Sequence, residues 1–330
     1  MIFGPVPAAD AEGTVLAHAM TGAKGKIAKG TVLHAGHVAA LVDAGHDTVV
    51  VARLEPGDIS EDEAAARLAA AIVPDPEAQG MRISGAGAGR VNLYATGPGV
   101  VSLDRDAITA LNAIDPMITL ATVPPWHRVE AGTMVATIKI ISYAVATSAV
   151  QRAQATAART ISVRAPRYAS ATLIETRVGT SAPSGKGRAA LTGRLDRLGL
   201  TLSPRIMVPH DVAPIADALR AAPGAVLFVL TASATSDPQD VAPNALRAAG
   251  GHVEAYGMPV DPGNLLFLGN LGDKPVIGLP GCARSPALNG ADWVMERLIC
   301  GVPLRQSDVA AMGVGGLLKE IPTRPRPRDS

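Results

Sequence analysis

The sequence predicts an α/β protein in two parts. A mixed α+β, strand-rich N-terminal domain is expected over residues 1–165, a mainly parallel three-layer αβα sheet domain over 166–305, and a tail or linker over 306–330. Three observations lead there. At 330 residues the chain exceeds the usual size of one domain. Beyond Pro166, strand-like runs alternate with helix-like ones, which implies right-handed crossovers and a sheet covered on both faces. Before that point, extended runs follow one another between glycine and proline turns.

Taken in order, residues 32–45 suit a helix and 48–52 form a short β-branched run that suits a buried strand. Ser60 followed by Glu63 forms a capping box for an alanine-rich helix that ends near Val73, where Pro74 and Pro76 stop it. Extended runs then stand at 91–94, 118–123 and 134–145. In the second half the strand candidates are 171–178, 203–208, 225–231, 252–256 and 275–279, and helices are expected near 188–198, 211–221, 243–249 and 285–299. Parallel sheets bind ligands at the carboxyl ends of their strands, so the loops after Val178, Thr231 and Leu279 are the candidate site. The end of the chain from Ile321 is proline-rich and basic, and is expected to be extended.

Bulk composition removes several classes of function. Hydrophobic residues make up 48% and charged residues 18%, enough apolar material for real cores. Thirty basic against twenty-nine acidic residues leave a net charge of +1, so there is no general electrostatic attraction to nucleic acid or to an anionic membrane. Three Phe, two Trp and four Tyr offer no stacking platform for single strands. Cys282 and Cys300 are the only cysteines, which excludes a disulfide framework. The start lacks the pattern of a signal peptide and no run reaches about eighteen apolar residues, so a cytoplasmic protein is expected.

The stretch 257–285 is the most informative. It places strand signals on either side of two glycine-proline turns, with a helix expected after the second. Free backbone amides at such a turn hold an anionic group without any charged side chain. The loop 231–240 follows the most hydrophobic strand, which must be central, and carries the hydroxyls of Thr231, Ser233, Thr235 and Ser236 with two carboxylates. Magnesium favours one or two carboxylates and keeps waters that phosphate can replace, so Asp237 and Asp240 are candidate metal ligands. For Asp237 the better reading is a helix cap before Pro238; for Asp240 it is function. The loop 181–188 is lysine-bearing and glycine-rich but fails the nucleoside-triphosphate template, since five residues and not four separate Gly179 from Gly185 and no hydroxyl follows Lys186. A looser anion loop using Ser181, Lys186 or Arg188 and an ordinary solvated turn both remain open. The segment 84–89 is glycine-rich without a following helix and reads as a turn. His34 and His37 lack a third metal ligand and read as surface histidines. Cys282 stands where helix-start amides would lower a thiol's pKa, but no histidine neighbours it to make a catalytic pair.

Taken together these loops resemble the molybdopterin-binding domain shared by the molybdenum-insertion and molybdopterin-adenylylating enzymes of molybdenum cofactor biosynthesis. Thr231, the hydroxyl of Thr235 and Asp240 match that family's hydroxyl loop in order and spacing. Pro262-Gly263 before Phe267-Leu268-Gly269 resembles its next turn and strand, and Pro275-Val276-Ile277-Gly278-Leu279-Pro280-Gly281 resembles its proline-glycine corner. The whole chain is similar to the amino-terminal part of bacterial proteins in which such a region precedes a nucleotidyltransferase domain of the molybdopterin-cytidylylating type; there Cys282 to Ser285 and Met312 to Ile321 find counterparts.

The resemblance implies molybdopterin or its nucleotide form as ligand, magnesium and a nucleotide as companions, and a nucleotidyltransferase domain or a molybdoenzyme as partner. It implies that Thr231, Ser233, Thr235, Ser236, Pro280, Gly281, Cys282, Arg284, Ser285, Ser181 and Lys186 bind the cofactor, and that Asp240 positions magnesium and serves catalysis. It also implies a homodimer. Departures stand out. Ala232 and Ser233 replace paired glycines, Gly281-Cys282-Ala283-Arg284-Ser285 replaces the usual corner, and the loop 181–188 is basic where catalytic relatives are acidic. A binding module that presents the pterin, a magnesium-dependent nucleotidyltransferase or insertase, and a non-pterin metabolite-binding domain therefore all stay open, the first ahead of the others.

Overall fold

The computed structural model describes residues 1–180 and 182–318; Ser181 and the proline-rich end of the chain lie outside the described residues. The chain divides into two compact units, one of Met1–Gly97 with Val101–Val163 and one of Pro98–Val100 with Arg164–Ser330.

The first unit is strand-rich. Ile2–Pro7 and Val15–Leu16 pair antiparallel with Thr48–Arg53 on its two sides. A second antiparallel sheet runs in the order Ile118–Thr122, Met134–Ile140, Arg90–Ala95, Met81–Ile83. In Arg90–Ala95 the residues Val91, Leu93 and Ala95 are buried while Arg90 is exposed, the period of two that one covered face demands. The helix Glu61–Ile72 packs Leu68, Ala69 and Ile72 into the same core. Only half of the expected capping box forms. Ser60 Oγ accepts the Glu63 amide at 3.4 Å, but the Glu63 carboxylate pairs with Arg67.

Three other expectations change. The helix near residue 32 begins later, as Ala35–Asp43, because Val32 bridges Val15 and Leu33 donates to the Thr14 carbonyl, which keeps both extended. His34 and His37 cap it: Nδ1 of His34 accepts from Gly36 N and Nδ1 of His37 from His34 N. The run 134–145 is two strands, since Ala144–Ala146 turns away to pair with Asp58–Ser60. The glycine-rich segment 84–89 closes the hairpin between Met81–Ile83 and Arg90–Ala95. Gly89 has φ +67° and donates to Asp62 Oδ1 at 2.6 Å, and a Cβ there would lie 2.7 Å from the Ile140 carbonyl, so glycine is required.

The second unit is a mixed α/β body around a seven-stranded sheet. Its order is Thr201–Leu202, Ser170–Arg177, Val226–Leu230, Lys274–Leu279, Phe267–Leu271, His252–Tyr256, with Ile206–Pro209 also on Ser170–Arg177. Thr201–Leu202, Ile206–Pro209, Ser170–Arg177, Val226–Leu230 and Lys274–Leu279 pair in parallel, and Phe267–Leu271 pairs antiparallel with both Lys274–Leu279 and His252–Tyr256. All five residues of Val226–Leu230 are buried, as the most apolar run should be when strands flank it on both sides. Leu227 and Val229 meet Ile215 and Leu219 of the helix Val212–Ala221 and Ala245 and Leu246 of Val241–Ala248. The helix Lys186–Asp196 comes up to Leu230, the neighbour of Val229: a Cβ at Gly187 would lie 2.4 Å from Leu230 Cδ2. The run 203–208 breaks around Pro204, which has no amide to donate to a ladder. The helix expected from residue 285 begins only at Gly290, after a 3-10 turn over Gly281–Arg284, because Asn289 and Asp292 form a reciprocal capping box at that point.

Candidate functional site

The strands Ser170–Arg177, Val226–Leu230 and Lys274–Leu279 are adjacent and parallel, so the segments that leave their carboxyl ends emerge side by side. The hydroxyl loop and the proline-glycine corner are joined there by a direct bond. Arg284 Nη2 donates to the Thr231 carbonyl at 2.5 Å, while its Nη1 lies 3.5 Å from the Gly281 carbonyl. Thr231 and Thr235 are buried with their hydroxyls 3.4 Å apart. The next amide, Ala232 N, donates to Thr176 Oγ1 at 2.7 Å, and that hydroxyl meets His210 Nδ1 at 3.0 Å. One fully buried threonine thus ties the loop after Ile206–Pro209 to the start of the hydroxyl loop. Ser233 and Ser236 are exposed. Tyr256 closes the far side, its hydroxyl donating to the Thr235 carbonyl at 2.9 Å. Burial pushes that phenol up, and the Asp237 and Asp240 charges add to the effect.

The helix cap falls to Asp240 and not to Asp237. The helix begins at Val241, so Asp240 is its cap, with Oδ1 accepting Val241 N at 2.7 Å and Oδ2 accepting Ser236 N at 3.0 Å. Asp237, expected to be the cap, instead closes the turn through Pro238 by accepting Gln239 N at 2.7 Å. Among the described residues no group of three or more His, Cys, Asp or Glu is gathered as a metal site.

The corner after Lys274–Leu279 is held from beneath by Arg194. Its Nε bonds Asp292 Oδ1 at 2.5 Å, Nη1 the Ala283 carbonyl at 2.9 Å, and Nη2 the carbonyls of Ser285 and Ala287 at 2.9 and 3.0 Å. Both members of this ion pair are buried. Pro280 is buried, Gly281 and Ser285 are exposed, and Cys282 is half-buried. Because no α-helix starts here, the expected lowering of the Cys282 thiol does not occur; burial pushes it up, with the Asp261 charge adding to the effect. Cys300 is buried and pushed up to about 12.

The basic loop approaches the same corner. Lys186 is the exposed first residue of its helix, and the Cβ position of Gly187 lies 3.3 Å from Arg284 Cγ. Arg188 Nη2 donates to the Ser203 carbonyl at 2.5 Å. Arg205 grips the fully buried Glu175 with Nε at 2.6 Å and Nη2 at 3.2 Å, and also donates to the Pro183 carbonyl at 2.8 Å. Ser181 lies outside the described residues. Sequence reasoning missed Thr176, Arg194, Arg205, Glu175 and Tyr256 as parts of this region. Nothing local marks them, since each acts through a partner far along the chain. The first unit has its own open cleft of about 650 Å3, lined by Ser102, Asp104, Arg105, Asp106, Arg159 and Thr160. It contains no residue of the strand-end loops, and its two carboxylates offset its two guanidiniums.

Residues 5–53 match the model of a domain of unknown function, DUF8806. No curated protein matches the chain. Among solved structures the chain is similar to the molybdopterin biosynthesis moeA protein from Pyrococcus horikosii, at 14% identity and a TM-score of 0.31, over 91% of this chain and 75% of that one. A structure of molybdopterin biosynthesis moeA protein from Pyrococcus horikoshii OT3 gives 10% identity and a TM-score of 0.25 over 91% of this chain and 74% of that one. A MogA structure gives 23% identity and a TM-score of 0.27 over 40% of this chain and 90% of that one.

Proposed function

We propose that the second unit, a three-layer αβα domain, binds molybdopterin or its nucleotide form for molybdenum cofactor biosynthesis and presents it to a nucleotidyltransferase domain or a molybdoenzyme. The observation that carries this reading is the bond from Arg284 to the Thr231 carbonyl, which makes the hydroxyl loop and the proline-glycine corner two walls of one strand-end site. The order of motifs from Thr231 through Asp240, Pro262-Gly263 and Phe267 to Gly281 supports it. In this reading the hydroxyls of Thr231, Ser233, Thr235 and Ser236, with the backbone from Pro280 to Ser285, receive the pterin and its phosphate, and Cys282 lies along the corner. Lys186 and Arg284 neutralise charge. Asp240, with Asp237, would position magnesium and serve catalysis if the protein is an enzyme. Presentation is preferred to catalysis because both oxygens of Asp240 already hold the backbone at the start of Val241–Ala248.

Anaerobic titration of the protein with purified molybdopterin, followed by pterin fluorescence, tests the reading. Saturable binding is expected, weakened at least tenfold in Arg284→Ala, as loss of a hydrogen-bonded charge contact of about 1.5–3 kcal/mol requires. No binding to the wild-type protein would overturn it. Magnesium-dependent release of pyrophosphate or AMP in the presence of molybdopterin, abolished in Asp240→Ala, would move the assignment from presentation to catalysis.

A further inference from the structure

We infer that the open face of the four-stranded sheet in the first unit is a docking surface for an acidic, amphipathic segment of a partner protein. The inference concerns the first unit alone and stands whatever the second unit binds. One face of this sheet is closed: Val91, Leu93, Leu120 and Ile138 pack into the core with Leu68 and Ile72. The period of two turns the alternate residues outwards, and the registers align them, with Arg82 opposite Tyr94, Tyr94 opposite Met134, Asn92 opposite Thr137, and Arg90 opposite Lys139. Beyond the pair of Lys139 and Thr119, Ile141 N donates to the Met117 carbonyl and continues the same face.

The residue types are those of an interface. Met117, Met134 and Ile141 are 40%, 46% and 57% exposed, large apolar side chains left in solvent at the two ends of the face. Tyr94, with the Arg82 guanidinium 4.6 Å from its ring centre, and Arg90 share it. Tyrosine, methionine and arginine are the types that protein interfaces enrich. A chain of bonds orders the middle in advance: Arg90 Nη1 donates to Thr137 Oγ1 at 3.3 Å, Thr137 Oγ1 to Asn92 Oδ1 at 2.8 Å, and Asn92 Nδ2 to Tyr94 Oη at 3.3 Å. Groups already ordered lose little entropy on binding.

Charge selects the occupant. The four strands bring Arg82, Arg90 and Lys139 and contain no carboxylate. At the edge Glu61 answers Lys139 from 3.6 Å, and Asp115 accepts the Met117 amide, whereas Arg82 has only the Tyr94 ring and Arg90 only the Thr137 hydroxyl. A second copy laid face to face would set these guanidiniums against their own kind, which opposes a symmetric pairing. A nucleic acid would leave the three apolar side chains unmatched. A segment with carboxylates for the guanidiniums and apolar side chains for the methionines and Ile141 meets both demands. From Met134 to Ile141 the face runs roughly 20 Å at about 3.3 Å per residue, so the contact is of the small, transient kind.

Methyl NMR of the full chain, labelled at Met and Ile, tests this with a Glu/Leu peptide patterned as an amphipathic helix of about fourteen residues, ~20 Å long. A Lys/Leu peptide of the same pattern and a single-stranded oligothymidylate are the comparisons. Saturable shifts of the Met117, Met134 and Ile141 methyls are expected with the acidic peptide, bound at least fivefold more tightly than the basic one. Arg82→Glu and Arg90→Glu, both at exposed residues, should each weaken that binding at least fivefold. Arg152→Glu, which alters an exposed cation on the helix Thr147–Ala157, should leave it unchanged. No shift at these methyls, equal affinity for the two peptides, or insensitivity to both charge reversals would overturn the inference. Tighter binding of the oligothymidylate at the same methyls would make the face a nucleic-acid site, and a dimer in sedimentation equilibrium that Arg90→Glu dissociates would make it a self-interface; either result also overturns it.

Discussion

At the scale of single residues, Arg194 shows how much a loop's shape depends on one side chain. Its guanidinium gathers the carbonyls of Ala283, Ser285 and Ala287 with the Asp292 carboxylate, so these three acceptors, in a segment that forms no α-helix, are met from within the protein. Removing the carboxylate leaves a buried guanidinium without its counter-charge. Asp292→Ala is therefore expected to destabilise the second unit by about 3–5 kcal/mol, read from the urea midpoint by circular dichroism. A loss below about 1 kcal/mol would mean that the carbonyls alone satisfy the arginine. Legibility at this scale follows sequence distance. Thr231 and Asp240 stand out in the sequence because they bound one ten-residue, hydroxyl-rich loop after an apolar run. Arg194 does not, since its partner is 98 residues away, and Thr176 needs the Ala232 amide 56 residues on.

At the scale of elements, most of the second sheet was readable because alternating strands and helices leave a strong periodic signal, and the apolar run at 226–230 had to be central. The misjudged points are those where a local bond decides between two neighbouring choices. Pro204 interrupts one run, Asn289 and Asp292 delay one helix, and Asp240 takes the cap that Asp237 was expected to provide. The last of these has a measurable consequence. Asp240 holds two backbone amides at the start of Val241–Ala248, and losing a cap of this type costs about 0.5–2 kcal/mol. Asp240→Ala should therefore lower the thermal midpoint, and Asp240→Asn, which still accepts a bond at the cap, should restore most of it. If the alanine variant is as stable as the wild type, the carboxylate is free of structural duty and its availability to a metal rises accordingly.

At the scale of the whole molecule, the sequence pointed to a division near residue 165, and the contacts divide at Val163 and Arg164 with the exception of Pro98–Val100, which groups with the second unit. A short excursion of this kind has no sequence signal, because three residues cannot change a composition. Each unit has a core of its own: Leu68, Leu93 and Ile138 belong to the first, and Ile174, Leu227 and Val276 to the second. Separate cores allow separate opening, since a cooperative unit is defined by the contacts that break together. We propose that the two units open independently. Under native-state hydrogen exchange, Asp292→Ala should then speed the amides of Val226–Leu230 and Lys274–Leu279 by roughly the full loss of stability, a hundredfold or more for about 3 kcal/mol at ~1.4 kcal/mol per factor of ten. The amides of Arg90–Ala95 and Met134–Ile140 should exchange at the wild-type rate. Equal acceleration in both sets would show a single cooperative body, and the strand-end site would then depend on the stability of the entire chain.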